Sequence, residues 1–243
     1  MSAMRETEPW KFLDAYRGRI FTSKWPTIPQ LFDITTDRFA DRACFTIYSP
    51  DRVSLNYRET REIILRVASY LASIGLGPGS HIAVTGKNSP EWAVAYIAVL
   101  YAGAVVVPID YQLSTQEIMA LIDAGDVTAA FIDEEKYDDI KKGRAGMPCF
   151  GLARSMETFV YDLEPPQGFA FSPPQVEVQS TAAILFTSGT TGDPKGVMLS
   201  HENLVSDCFL AQANLNISEQ DIFYALLPIH HSYTMLAVFI ESF

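Results

Sequence analysis

The sequence contains, between residues 184 and 200, the stretch Ile184-Leu-Phe-Thr-Ser-Gly-Thr-Thr-Gly-Asp-Pro-Lys-Gly-Val-Met-Leu-Ser200. Its two ends are apolar, and its middle holds glycines, hydroxyls and one lysine. Glycines allow positive φ angles and bring backbone N–H groups close to a ligand, while hydroxyls donate further hydrogen bonds. The stretch therefore predicts two strands joined by an anion-binding loop. This interpretation is favoured over a glycine loop without a ligand.

The distribution of charge supports an anion site. Lys195 is the only Lys or Arg after Arg154, in a part of the chain that is otherwise acidic. At about 4 Å and an effective dielectric constant of about 20, one charge pair is worth roughly 4 kcal/mol before desolvation. That energy anchors one phosphate group but does not neutralise a triphosphate. Backbone N–H groups, hydroxyls and a divalent metal are expected to supply the rest.

The loop differs from the nucleotide P-loop, G-x-x-x-x-G-K-[ST]. Counted from Gly189, the residue before the lysine is Pro194 and the residue after it is Gly196. The magnesium-binding hydroxyl of the P-loop is therefore absent. A strand pattern, and not a helix pattern, follows the lysine, so a P-loop ATPase is disfavoured.

Composition excludes several classes of protein. With 243 residues and 48% hydrophobic content the chain can bury a sizeable core, and its net charge of −11 argues against nucleic acid and against anionic membranes. Cys44, Cys149 and Cys208 are few and widely spaced, as in a reduced cytoplasmic protein, and form no zinc-binding pattern. The polar N-terminus has no signal-peptide core.

Hydrophobic periodicity predicts an α/β fold. A hairpin is expected over residues 45–48 and 53–57, and a helix from about residue 63 that stops at Gly75. Strand and helix patterns then alternate: strands over 81–85, 104–107, 128–132 and 149–152, with helices over 89–102, 114–122 and 134–142. Such alternation is typical of βαβ units, so a mostly parallel sheet flanked by helices on both faces is expected.

One uncharged run, residues 92–109, is about long enough to cross a membrane. Ser89 as N-cap, Pro90 at the first helical position and Gly103 as a stop favour a buried helix followed by a strand. Residues 10–21 form a slightly basic amphipathic pattern. Packing of that segment against the domain is favoured over a weak contact with a membrane surface.

We expect the chain to divide into an N-terminal segment 1–29, an α/β subdomain 30–161, a proline-rich crossing segment 162–180 and a region 181–243 that is expected to be incomplete. In the last region we expect a helix over 204–215 after Ser200, a strand over 222–227 and an apolar helix over 235–243. That final pattern has no C-terminal cap. We therefore expect the chain to be the N-terminal part of a longer protein.

The run Leu185-Phe-Thr-Ser-Gly-Thr-Thr-Gly-Asp-Pro-Lys-Gly-Val197 resembles the signature of the adenylate-forming superfamily. This superfamily includes acyl-CoA synthetases, coumarate-type ligases, luciferase-like enzymes and the adenylation domains of peptide synthetases. The stretches 55–59, 75–84, 102–109 and 200–203 resemble its N-terminal subdomain. The resemblance covers the chain from about residue 30 to the end.

The resemblance implies a two-step reaction that uses ATP, Mg²⁺ and CoA. A carboxylate attacks the α-phosphate of ATP to give acyl-AMP and pyrophosphate, and a thiol then takes the acyl group. The residues implied to hold the β- and γ-phosphates are Thr187, Ser188, Gly189, Thr190, Thr191, Gly192 and Lys195. The adenine, ribose and metal ligands and the lid lysine of the family would lie beyond Phe243, so residues 1–243 alone are expected to be inactive.

A second site is implied at Pro228-Ile-His-His-Ser-Tyr-Thr-Met235. The family places an aromatic residue or a histidine here against the substrate carboxylate and the α-phosphate, and His231 takes that position. His231 is therefore the candidate catalytic and substrate-binding residue, ahead of His230, and Tyr233 is a candidate for lining the acyl pocket. His201 is expected to be structural, and His81 has no site context.

This second site also bears on the substrate. Amino-acid-activating members place an Asp just after this position, whereas residues 232–238 contain no acid. Because an unpaired buried ammonium is costly, an α-amino acid is disfavoured. A medium- or long-chain fatty acid with CoA as acceptor is expected. Two alternatives remain: a ligase for an aryl acid or a carrier-protein thiol, and a non-catalytic nucleotide- or acyl-binding module.

Overall fold

The computed structural model describes residues 25–49, 51–187, 194–215 and 217–243. Its elements in chain order are α1 (Ile28–Phe39), β1 (Ala43–Ile47), β2 (Val53–Asn56), α2 (Tyr57–Ser73), β3 (His81–Thr85), α3 (Pro90–Tyr101), β4 (Val105–Ile109), α4 (Thr115–Ala124), β5 (Val127–Ile132), α5 (Glu134–Gly143), β6 (Cys149–Gly151), β7 (Thr181–Thr187), β8 (Lys195–Ser200), α6 (His201–Leu215) and the one-turn helix α7 (Ser232–Thr234). A 3-10 turn spans Val160–Asp162, and a π-helical segment spans Met235–Ile240.

The described strands form two sheets. β1 and β2 pair antiparallel, as the predicted hairpin requires. The other six strands lie in the order β6-β5-β3-β4-β7-β8. All neighbours in this sheet run parallel except β7 and β8, which are antiparallel. The prediction of a mostly parallel α/β sheet is confirmed.

The sheet is covered on both faces because side chains alternate along each strand. On β3, Ile82 and Val84 belong to a core cluster that includes residues of α1, α2, α3 and α6, while Ala83 lies in a second cluster with residues of α4 and α5. β5 divides in the same way, with Phe131 in the first cluster and Ile132 in the second. The predicted flanking of the sheet by helices is therefore confirmed.

Local sequence signals fix the starts of the crossover helices. The Ser89 hydroxyl accepts the Trp92 N–H, and Pro90 occupies the first turn of α3. The Ser114 and Glu117 side chains form a capping box at the start of α4. α3 is buried along its whole length between the sheet and its neighbours. Among the residues that the structure describes, none of the helices combines the length and the apolar character that a bilayer crossing requires.

One prediction for the last part of the chain is wrong, and a second is confirmed only in part. Residues 222–227 form no strand, and Ile222 and Leu226 are 84% and 81% exposed. A strand needs a neighbouring strand for its backbone bonds, and this segment is instead bonded to the side chain of Asn88. The apolar helix expected over 235–243 is π-helical over Met235–Ile240, with the Glu241 N–H bonded to the carbonyl of Leu236, and it ends in a turn.

Other predictions lie outside the described residues. The amphipathic pattern over residues 10–21, with its membrane-surface alternative, is one of these predictions. The predicted phosphate contacts of Ser188, Gly189, Thr190, Thr191 and Gly192 are others. The division into four segments stays a prediction.

Candidate functional site

Two polar residues, Asp110 and Thr187, lie at one edge of the large sheet. The parallel strands β3, β4 and β7 all end at this edge, and the antiparallel β8 begins there. Asp110 follows β4 directly, and Thr187 ends β7. Because Val106 pairs with Ala183 across these two strands, Asp110 and Thr187 lie at the same level on neighbouring strands, whose spacing is about 4.8 Å. Ligands of open α/β sheets bind outside this carboxyl edge.

The β7–β8 hairpin brings the two described ends of the anion-binding loop together. Thr187 pairs with Lys195 in the antiparallel register, and the Thr187 hydroxyl faces the Lys195 carbonyl oxygen at 3.5 Å. Both residues are exposed. The ladder that fixes this closure runs back to Thr181 and Ser200 and is anchored by the buried residues 182–185 of β7. The hairpin thus fixes where the loop leaves and rejoins the sheet.

Lys195 has the environment of an anion ligand. Within the described part of the chain, no carboxylate lies within ion-pair distance of its ammonium group. Its exposed position at the start of β8 lets the flexible side chain extend over the carboxyl edge. An exposed cation beside a hydroxyl can bind a phosphate by a charge-assisted hydrogen bond, worth about 1.5–3 kcal/mol.

The histidine loop, residues 225–231, lies at the same edge. Two side chains more than a hundred residues earlier in the sequence contact it there. Asn88, in the loop after β3, donates from Nδ2 to the carbonyls of Ala225 and Leu227, both at 2.8 Å. Its Oδ1 accepts the Ile229 N–H at 2.9 Å. His230 Nε2 lies 3.5 Å from an Asp110 carboxylate oxygen. The loop is therefore held over the ends of β3 and β4.

His230 and His231 face different surroundings. His230 is half-buried, and burial lowers its pKa from the usual value; the Asp110 carboxylate opposes this shift, and His231 adds to it. His231 is exposed and caps α7, with Nδ1 accepting the Tyr233 N–H at 3.4 Å. With Nδ1 as the acceptor, Nε2 carries the ring proton and can donate it to a ligand. The structure thus brings both histidines to the edge, but only His231 presents its ring to solvent.

Tyr233 is also open to solvent, with 65% of its surface exposed. The next residues turn inward: Thr234 and Met235 are buried, and the hydroxyl of Tyr96 lies 3.4 Å from the Met235 sulfur. Met235 begins the π-helical segment, a geometry that often occurs beside functional sites. Tyr233 therefore follows the exposed His231 in sequence and precedes the buried residues Thr234 and Met235.

The two remaining histidines lie apart from the edge site. His201 is 2% exposed, and its Nδ1 accepts the Ile28 N–H at the start of α1, at 3.2 Å. Burial lowers the pKa of His201 from 6.5 to about 4. His81 begins β3, at the opposite end of the strand from Asn88, and bonds the Gly125 carbonyl at 2.7 Å. His201 thus has a structural environment.

The described residues contain no group of three or more His, Cys, Asp or Glu side chains that could hold a metal ion.

Asn88 and Asp110 are the two residues of this site that sequence reasoning missed. Each is a polar residue just after a buried parallel strand, and side chains in such positions meet at the carboxyl edge. That signal was present in the sequence. The partner of Asn88, more than 130 residues away, carried no local signal.

The mostly parallel α/β sheet brings the β7–β8 hairpin and the histidine loop to its carboxyl edge, where open α/β sheets bind their ligands. The model of the AMP-binding enzyme family matches residues 32–241. The chain therefore belongs to that family of adenylate-forming enzymes, as the resemblance of residues 185–197 indicated.

Individual relatives agree with this assignment. The chain is 32% identical over 237 residues to 4-coumarate–CoA ligase 5 of Oryza sativa subsp. japonica, and this match covers 90% of this chain and 43% of the relative. It is 28% identical over 204 residues to long chain acyl-CoA synthetase 5 of Arabidopsis thaliana, covering 72% of this chain and 30% of the relative. Among solved structures, ATP-bound MatB of Rhodopseudomonas palustris is similar, with a TM-score of 0.74, 27% identity, and coverage of 89% of this chain and 44% of MatB. The chain thus spans less than half the length of these relatives.

Proposed function

We propose that this chain is the part of an ATP-dependent acid–thiol ligase that binds the phosphates of ATP and one side of the acid. The observation that carries the proposal is the meeting of two features on the neighbouring strands β4 and β7. One is the hairpin end with Thr187 and Lys195, and the other is the Asp110-linked loop with His230 and His231. Phosphates on the hairpin would leave the α-phosphate facing the histidine loop.

In the first proposed step, the substrate carboxylate attacks the α-phosphorus of ATP. A new P–O bond forms the acyl-AMP, and the bond to the bridging oxygen breaks to release pyrophosphate. Lys195 and Thr187, with residues 188–192, would stabilise the negative charge that develops on this leaving group. Mg²⁺ would neutralise further phosphate charge.

The proposed role of His231 is to donate from Nε2 to the carboxylate or to the α-phosphate. It would bring the two reacting groups together and reduce the repulsion between them, without itself changing covalently. In the second step a thiol sulfur attacks the acyl carbonyl, AMP leaves, and the thiol proton is lost. CoA is the proposed acceptor.

A medium- or long-chain fatty acid is the proposed substrate. Residues 232–238 offer no carboxylate to an amino group, and Tyr233 with the apolar residues after it would contact an alkyl chain. The Arabidopsis relative is named for long-chain acyl-CoA synthesis. The proposed compartment is the cytoplasm, in keeping with free Cys44, Cys149 and Cys208.

An aryl acid is the second candidate substrate. The observation that favours it is the 32% identity to a 4-coumarate–CoA ligase, higher than the 28% identity to the long-chain synthetase. An exposed Tyr233 ring can stack on an aromatic acid as well as pack against an alkyl chain.

The exchange of labelled pyrophosphate into ATP tests the proposal in the full-length protein. The panel should contain saturated fatty acids from hexanoic to octadecanoic acid, coumaric acid, succinylbenzoic acid and amino acids. Exchange with fatty acids is expected, and exchange only with aryl acids would select the second candidate. Amino-acid-dependent exchange would overturn the argument from residues 232–238, and no exchange with any acid would refute adenylation. Thioester formation with CoA or with a carrier-protein thiol then identifies the acceptor.

A further inference from the structure

Asn88 bonds the histidine loop with nearly its full hydrogen-bonding capacity. A side-chain amide offers two N–H donors and one carbonyl acceptor, and Asn88 uses both kinds of group on the histidine loop. The carbonyls of Ala225 and Leu227 accept from Nδ2, and the Ile229 N–H donates to Oδ1, all between 2.8 and 2.9 Å. The bonded groups are all backbone, so Asn88 fixes the course of the chain and not one side chain.

The first part of the loop, residues 225–227, has few other means of holding its shape. Residues 222–227 belong to no strand, and Leu226 and Leu227 are 81% and 57% exposed. Packing therefore contributes little between residues 225 and 227. Asn88 itself is fixed, because it follows β3 and directly precedes Ser89, the N-cap of the buried helix α3. A rigid element thus holds the exposed residues 225–227, while the buried side chain of Ile229 anchors the next part of the loop in the core.

The geometry points to Asn88 as a positioning residue for adenylation, holding the loop of His230 and His231 over the carboxyl edge of the sheet. This inference rests on the proposed function. Ile229, which donates to Asn88, immediately precedes His230, so a shift of the loop moves both histidines. Lys195 and Thr187 are held separately by the β7–β8 ladder. Loss of the Asn88 amide should therefore impair the acid-activating step and leave phosphate binding intact.

The test compares Asn88→Ala with Asn56→Ala in the full-length protein. Asn56 is a matched control, because its side chain also bonds backbone, but as the N-cap of its own helix α2. Asn88→Ala is expected to lower kcat of acid-dependent pyrophosphate exchange about 10- to 100-fold, with the KM for ATP within about twofold of wild type. Asn56→Ala should lower thermal stability and leave both constants unchanged. Equal kinetic effects in the two variants would overturn the inference.

Asn88→Asp adds a readout that a general loss of stability does not produce. The introduced carboxyl keeps an acceptor for the Ile229 N–H, but when ionised it repels the carbonyls of Ala225 and Leu227. When protonated it can donate one hydrogen bond. Activity relative to wild type should therefore recover severalfold as pH falls from 8 to about 5. An Asn88→Asp to wild-type ratio that does not change with pH would contradict the inference.

Hydrogen–deuterium exchange separates failure of this inference from failure of the proposed function. Protection of the Ile229 N–H should be lost in Asn88→Ala and kept in Asn56→Ala, whatever the enzyme does. If the wild type catalyses no exchange with any acid, adenylation fails, and the positioning role fails with it. If the wild type is active and the Ile229 N–H stays protected in Asn88→Ala, only the inference fails.

Discussion

His201 and His231 accept the same kind of backbone hydrogen bond in opposite environments. In each, Nδ1 accepts a backbone N–H at the start of a helix: Ile28 for His201, at 3.2 Å, and Tyr233 for His231, at 3.4 Å. His201 bonds an N–H that is 173 residues away and is 2% exposed. His231 bonds an N–H two residues away and is exposed. Burial, and not local hydrogen bonding, separates the structural histidine from the candidate for chemistry.

The comparison has a physical basis. The bond of His201 joins α1 to α6 in a medium of low polarity, so the neutral ring is favoured and its removal leaves an unpaired N–H. The bond of His231 leaves Nε2 free at an edge where β4 and β7 end. One histidine should therefore respond in stability and the other in catalysis.

The largest effect is expected at His231. His231→Ala should lower kcat/KM for acid-dependent pyrophosphate exchange by about 100-fold, because the proposed donor to the developing charge is lost. His231→Asn is the matched variant, since asparagine can still cap α7 but lacks the imidazole. The kcat/KM of both variants should fall by a similar factor in steady-state assays, and their melting temperatures should stay near that of wild type. Full activity in His231→Asn would show that His231 acts only as the N-cap of α7 and not in catalysis.

A smaller effect, confined to stability, is expected at His201. Its pKa is about 4 in the folded chain and 6.5 ordinarily, so the unfolded chain binds the proton first as pH falls. The stabilisation is complete above pH 6.5 and is lost as pH falls towards 4. It amounts to about 2 kcal/mol between pH 8 and pH 5.

Urea unfolding at a series of pH values measures this effect. His201→Gln should remove most of this pH-dependent part of the free energy of unfolding and leave the KM values for ATP and acid unchanged at pH 8. A changed KM with an unchanged pH dependence of stability would reverse the assignment of His201.

The smallest effect is expected at Tyr233, next to the exposed histidine. Tyr233→Ala should raise the KM for the acid by about threefold to tenfold, because apolar contact area with the acyl group is lost. Tyr233→Phe keeps that area and serves as the control, with a KM close to wild type. Kinetics across the acid panel measure both. If the phenylalanine variant were impaired as much as the alanine variant, the hydroxyl and not the ring would contact the substrate.

Elements with a strong local signal could be predicted from the sequence. The βαβ units between residues 81 and 132, the Ser89 and Ser114 caps and the β7–β8 hairpin each depend on residues close in sequence. α1 was missed although Thr27 and Gln30 form a capping box with Pro29 in the first turn. That local signal was available.

The histidine loop was predicted less well because its structure depends on distant contacts. The apolar run over residues 222–227 satisfies a strand pattern, but periodicity does not reveal whether a neighbouring strand exists. The segment instead bonds Asn88, 137 and 139 residues away. Motif resemblance singled out His231, whereas Asn88 and Asp110 needed the topology of the sheet.

The most direct test of the central claim measures the affinity of MgATP for Lys195→Ala by calorimetry in the full-length protein. Lys142→Ala is the control, because Lys142 is an exposed lysine in the last turn of α5. We predict that Lys195→Ala binds MgATP about 10- to 100-fold more weakly, while the affinity for the acid and that of the control stay near wild type. An unchanged affinity for MgATP, with only acid binding weakened, would contradict the assignment of the β7–β8 hairpin as the phosphate site.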